Sequence, residues 1–67
     1  MESYRNKDTG TVVEVYQTDK RIDLITADGE SSTAFPGDYI ATGVYGEQYI
    51  YTAEVFENDF VKEVADE

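Results

Sequence analysis

The chain has 67 residues and a mass of 7.6 kDa, contains no cysteine, histidine or tryptophan, and carries a formal charge of -10 from fifteen Asp plus Glu against five Lys plus Arg. Without cysteine there is no disulfide framework, thiolate zinc site or thiol nucleophile, and without histidine the commonest general base and metal ligand is missing. With 40% hydrophobic residues, a single domain of this length hides only roughly 60% of its unfolded surface and holds a thin core.

The acidity narrows the partners. Direct binding to nucleic acid or to an anionic membrane depends on clustered cations that release counterions, and Arg5, Lys7, Lys20, Arg21 and Lys62 are outnumbered three to one by carboxylates. A charged partner is therefore expected to be basic. The same carboxylates also serve solubility, and an acidic, Lys-poor surface suits high salt as well. Apolar runs such as Tyr49-Ile50-Tyr51 fall far short of the roughly 20 residues that span a bilayer, and Met1-Glu2-Ser3-Tyr4 does not read as a signal peptide. A soluble, cytoplasmic protein is expected.

In chain order, residues 1–9 read as a flexible N-terminal arm, residues 10–64 as a single small β domain and residues 65–67 as a frayed tail. After Gly10, residues 11–18 are rich in β-branched side chains and alternate Val13 and Val15 with Val12, Glu14 and Tyr16, which predicts a strand. Residues 18–20 are turn material. Residues 21–26 set Ile22 and Leu24 opposite Asp23, predicting a second strand that forms a hairpin with the first. Asp28-Gly29 is the dipeptide favoured where two central turn residues take positive φ, so residues 31–35 are expected to return antiparallel and complete a three-stranded meander.

A second turn follows at Pro36-Gly37-Asp38, where proline fixes φ, glycine accepts a φ that other residues refuse, and the Asp38 carboxylate reaches nearby amides. Residues 39–42 and 47–51 predict another hairpin across Gly43-Val44-Tyr45-Gly46. Thr52 suits a helix start, with about two turns over residues 53–59 that direct Val55 and Phe56 one way. Residues 60–64 read as helix or strand, the strand being preferred for the β-branched Val61 and Val64 and the Asn58-Asp59 stop. The predicted fold is mainly β: a small curled antiparallel sheet or open barrel of five or six short strands with one short helix near the C-terminus.

Pro36-Gly37-Asp38-Tyr39-Ile40, then Gly43, Gly46, Glu47 and Tyr49, then Phe56 and Phe60, resembles the C-terminal pattern of a family of small bacteriophage and prophage proteins. The opening strand Val12-Val13-Glu14-Val15 looks like that family's first strand, and the likeness covers about residues 11–64. It implies a viral origin and the cytoplasm of a bacterial host. The family carries a helical segment after its first strand, where this chain crosses directly from Gln17 to Arg21. The resemblance implies no catalytic residue.

Other constellations carry little chemistry. Gly43-x-x-Gly46 lacks the Lys or Ser/Thr and the following helix of a phosphate loop. Asp28 with Glu30, or Asp19 with Asp23, would need a cleft to act as an acid–base pair, and Asp28-Gly29-Glu30 is only a fragment of a calcium loop. No enzyme activity, cofactor or metal is expected. The expected function is binding: an acidic inhibitor of a basic host or defence protein, with nucleic-acid mimicry as one form of it. The contact candidates are Tyr45, Tyr49 and Tyr51 on the second hairpin and Glu54, Glu57, Asp59 and Glu63 along the C-terminal run. The alternative is a homo-oligomeric or virion-associated structural module.

Overall fold

Short runs of β-branched and aromatic residues, punctuated by glycine turns, give the order β1 (Glu2–Asn6), β2 (Val12–Gln17), β3 (Ile22–Ile25), β4 (Ser31–Ala34), β5 (Tyr39–Thr42), β6 (Gln48–Tyr51), α1 (Ala53–Asp59) and β7 (Phe60–Lys62). The computed structural model describes residues 1–63. Val64 and the expected frayed tail lie outside the described residues. Five strands form one antiparallel sheet in the order β6-β5-β2-β1-β7, and β3 and β4 form a separate two-stranded sheet. The fold is mainly β and not closed.

Residues 1–9 depart from the expected arm. Residues 2–6 form β1, inserted between β2 and β7, with Tyr4 opposite both Val13 and Lys62. Among the described residues the strands therefore number seven rather than five or six. The predicted hairpin between the strands at 12–17 and 22–25 is also absent, because both edges of β2 are taken, one by β1 and the other by β5. At the end of β2, the Thr18 amide donates to the Asp38 carbonyl and the Gly37 amide donates to the Thr18 carbonyl, so the backbone is committed to the β4–β5 turn. The buried Thr18 hydroxyl donates to the Lys20 carbonyl at 2.8 Å and turns the chain away. β3 and β4 then pair only with each other, and the three-stranded meander does not form.

Two turns are built alike. Gly29 donates to the Thr26 carbonyl while Thr26 donates to Glu30, and Gly46 donates to the Gly43 carbonyl while Gly43 donates to Glu47. Gly29 and Gly46 both sit at φ +84°. Each is the single left-handed residue of a three-residue hairpin loop ending in a bulge, in place of the two positive-φ residues expected at Asp28-Gly29. In the β4–β5 turn Gly37 is at φ +98° and the Asp38 carboxylate accepts from the Phe35 amide at 2.9 Å, as expected.

Helix α1 begins where the sequence places it, with the Thr52 hydroxyl accepting from the Val55 amide. Of its two neighbouring apolar residues only Phe56 is buried, while Val55 is half exposed, since adjacent helical positions point about 100° apart. Phe56 lies over one face of the large sheet, in a cluster with Val13, Val15, Ala41 and Phe60 flanked by Tyr4, Tyr39, Tyr49 and Tyr51. Its ring stacks on Tyr39 at 4.2 Å and on Phe60 at 4.7 Å and meets Tyr4 edge-on at 4.8 Å. Ile40 alternates to the opposite face of β5 and is still fully buried, as is Ala34 of β4.

Candidate protein-binding surface

The predicted contact residues divide into an exposed set and a held set. Tyr45 rides on the tip of the β5–β6 turn beside Val44, and the two are 90% and 82% exposed, so this tip presents an apolar pair to solvent. Its shape is fixed by Glu47, whose carboxylate folds back to accept from the Tyr45 amide at 3.0 Å. A methyl group on Gly43 would meet that carboxylate, so the Glu47 side chain would have to move aside to admit one.

Tyr49 and Tyr51 are half-buried along β6, where their rings line the aromatic core. Tyr51 meets Phe60 at 5.2 Å, joining the strands at the two edges of the sheet across its concave face. Burial, followed by the neighbouring Tyr49 and then Asp59, pushes the Tyr51 phenol above its ordinary pKa. Burial also raises Tyr39, with the Glu57 carboxylate the next cause. Glu57 therefore lies at the margin of the aromatic cluster.

The acidic candidates differ in the same way. Glu54 and Glu57 project from α1 into solvent, and Asp59 is half-buried at the helix end. Glu63 is engaged: Arg5 grips it with two bonds, Nε to Oε1 at 2.9 Å and Nη2 to Oε2 at 2.7 Å. The other ion pairs among the described residues are Lys62 with Glu2 and Arg21 with Asp23. None uses a carboxylate of α1. Glu54, in the first helical turn, complements the helix dipole, whereas Glu57 and Asp59 crowd the last turn, which contains no cation and has the unfavourable sign for them.

A groove missed by reading side-chain patterns lies between β6 and the β3–β4 hairpin. It measures about 440 Å³ and is lined by residues 26–28, Ser32, Thr33 and residues 49–51. Asp28 stands in its wall, and its carboxyl is held below the usual carboxylate range by a hydrogen bond from the Thr26 hydroxyl and then by the Glu30 amide. No helix among the described residues is long and apolar enough to cross a membrane.

The geometry describes a small acidic β domain with an aromatic core, an apolar turn tip and an open groove. No protein-family model, curated protein or solved structure matches the chain.

Proposed function

We propose that the protein is an acidic binding module that occupies a basic surface of a partner protein, and that in a bacteriophage setting it inhibits a host or defence protein, its carboxylates standing in for a nucleic-acid backbone. The observation that carries this reading is the acidic run of α1. Among the described residues Glu54, Glu57 and Asp59 enter no ion pair, and two of the three sit at the helix end where negative charge costs stability. Carboxylates retained against a local cost are well placed to meet cations on another molecule. The exposed Val44–Tyr45 tip adds an aromatic anchor of the kind that concentrates binding energy. The viral setting is supported by the motif at residues 36–40 and its downstream glycines and aromatics.

The test is a pull-down of tagged protein from bacterial lysate with low-salt and high-salt washes, run beside the double variant Glu54→Lys, Glu57→Lys. A basic protein that elutes with salt and is lost with the variant is the expected result. Recovery of the bait alone replaces this reading with the homo-oligomeric or virion-associated module, which the apolar Val44–Tyr45 tip would then serve. Sedimentation at low and high salt gives the complementary readout, a stable oligomer in place of a monomer.

A further inference from the structure

The groove beside β6 runs along a strand edge. Residues 49, 50 and 51 all line it, yet successive residues of a strand point to opposite faces, so what they share is their edge. The hydrogen-bond phase agrees. The Gly43–Glu47 pair is bonded, and antiparallel pairs alternate between bonded and non-bonded. Ala41–Tyr49 and Tyr39–Tyr51 are then bonded, and Ile50 turns its N–H and C=O away from β5. The Ala27 amide, which donates to the Gln48 carbonyl at 2.8 Å, shows that this outward row is usable, and it pins one end of the groove. By that phase Ile50 makes no ladder bond to β5, and no backbone bond outside the ladders reaches it among the described residues.

The facing wall has the same character. Thr26–Glu30 is a bonded pair, so Leu24–Ser32 is bonded, Asp23–Thr33 is not, and Thr33 turns its N–H and C=O away from β3. Ser32 and Thr33 line the groove consecutively, again as an edge. The groove therefore lies between two strand edges that each turn backbone groups outward.

The two edges of the large sheet are unlike. β7 is three residues long, carries Lys62, and is followed by Glu63, which is the usual protection of an edge. β6, Gln48-Tyr49-Ile50-Tyr51, has no charge and no proline. An open, uncharged edge facing a second open edge is a site for strand addition.

We infer that this groove receives an extended, Lys- or Arg-bearing segment of a partner polypeptide as an added β-strand, bonded to Ile50 on one side and Thr33 on the other. Only a segment with both edges free can bond both walls. The β6 of a second copy, already paired to its own β5, can bond one wall at most. The basic character follows from the ionised Asp28 in the wall and from the charge of -10 on the whole chain. The inference rests on the acidic-binder reading and adds where the partner is held and in what conformation.

The experiment uses the full chain and two capped peptides of equal charge and length, one alternating lysine with valine and one alternating lysine with proline, which lacks half of the strand's amide donors. The lysine–valine peptide is expected to bind about tenfold more tightly than its proline counterpart, the value of one or two net hydrogen bonds. Amide exchange at Ile50 and Thr33 is expected to slow in the complex. Ile50→Pro and Thr33→Pro each remove one outward N–H and no bond of the existing ladders. Each is expected to weaken the lysine–valine peptide about tenfold, and the second serves if the first disturbs packing around Ile40. Equal binding of the two peptides, or protection confined to α1, overturns the groove and leaves the acidic reading standing. So does capture of a basic protein whose binding both proline variants retain. A chain that binds neither peptide nor any basic protein overturns both. A dimer abolished by Ile50→Pro would assign the edge to self-association instead.

Discussion

Phe56 concentrates the aromatic packing of the domain on one side chain. It stacks on two rings and meets a third edge-on, and it is the largest fully buried residue. Phe56→Ala leaves a cavity that costs about 3–5 kcal/mol, close to the entire stability that a core of this size supplies, about 3–5 kcal/mol. The variant is expected to be unfolded at 25 °C by circular dichroism, and a cooperative thermal transition would show that the sheet stands without its aromatic centre. Asp28 acts at the opposite extreme of exposure. Its carboxyl pKa is lowered by the Thr26 hydroxyl and the Glu30 amide, so its contribution to stability is present above the unfolded carboxylate pKa of about 4 and is lost as pH falls through the lower folded value. Asp28→Ala is expected to destabilise at pH 7, and the deficit is expected to shrink as pH falls below about 4, with denaturation midpoints measured across that range as the check. A deficit that does not change with pH would assign the effect to the neutral hydrogen bonds of the turn rather than to charge.

The elements differ in how openly the sequence displays them. β2, the β5–β6 hairpin and α1 are legible because Val13 and Val15 alternate cleanly, Gly43 and Gly46 bracket a turn, and Thr52 caps a helix ended by Asn58-Asp59. β1 is not, because among Glu2-Ser3-Tyr4-Arg5-Asn6 only Tyr4 marks the inward face, and one aromatic sets no period. The pairing of β2 is hidden for a related reason: alternation gives a strand its faces but does not name its neighbours, and the neighbour of β2 is chosen by Thr18 bonding to the residue 37–38 backbone. Among the site residues, exposure of Tyr45 is legible from its place in a turn. The groove is not, since its walls are backbone edges common to any sequence. The paired hairpin loops give this scale its own prediction. Gly46 is left-handed with open space around its Cβ position, so Gly46→Ala costs backbone strain alone, roughly 1–2 kcal/mol. A chemical denaturation series should show that loss, and an unchanged midpoint would mean that the loop relaxes to another turn.

At the scale of the whole molecule, charge acts across the full width of the fold. The protein measures 37 × 23 × 21 Å, so at about 0.01 M salt, where the screening length is about 30 Å, each carboxylate feels nearly all the others. Self-repulsion at a net charge of -10 opposes compaction, and the ion pairs among the described residues, Arg5 with Glu63, Arg21 with Asp23 and Lys62 with Glu2, are solvent-accessible and weak. The melting temperature is expected to rise with added sodium chloride, and a fall would show that attractive pairs outweigh the repulsion. On the proposed reading, added salt would strengthen the fold while weakening the attraction of the acidic surface for a basic partner.

β1 lies between β2 and β7, so a strand made within the first six residues has one of its two neighbours at residues 60–62. Contacts that span so much of the sequence slow folding, because the loop between them must be closed before the pairing repays it. During synthesis the ribosome delivers β1 long before β7, and for that interval one edge of β1 and the face that will seat Phe56 stay open on the nascent chain. The sheet and its core are thus completed last and together, and any binding that needs the finished acidic surface begins only after residue 62 has left the ribosome.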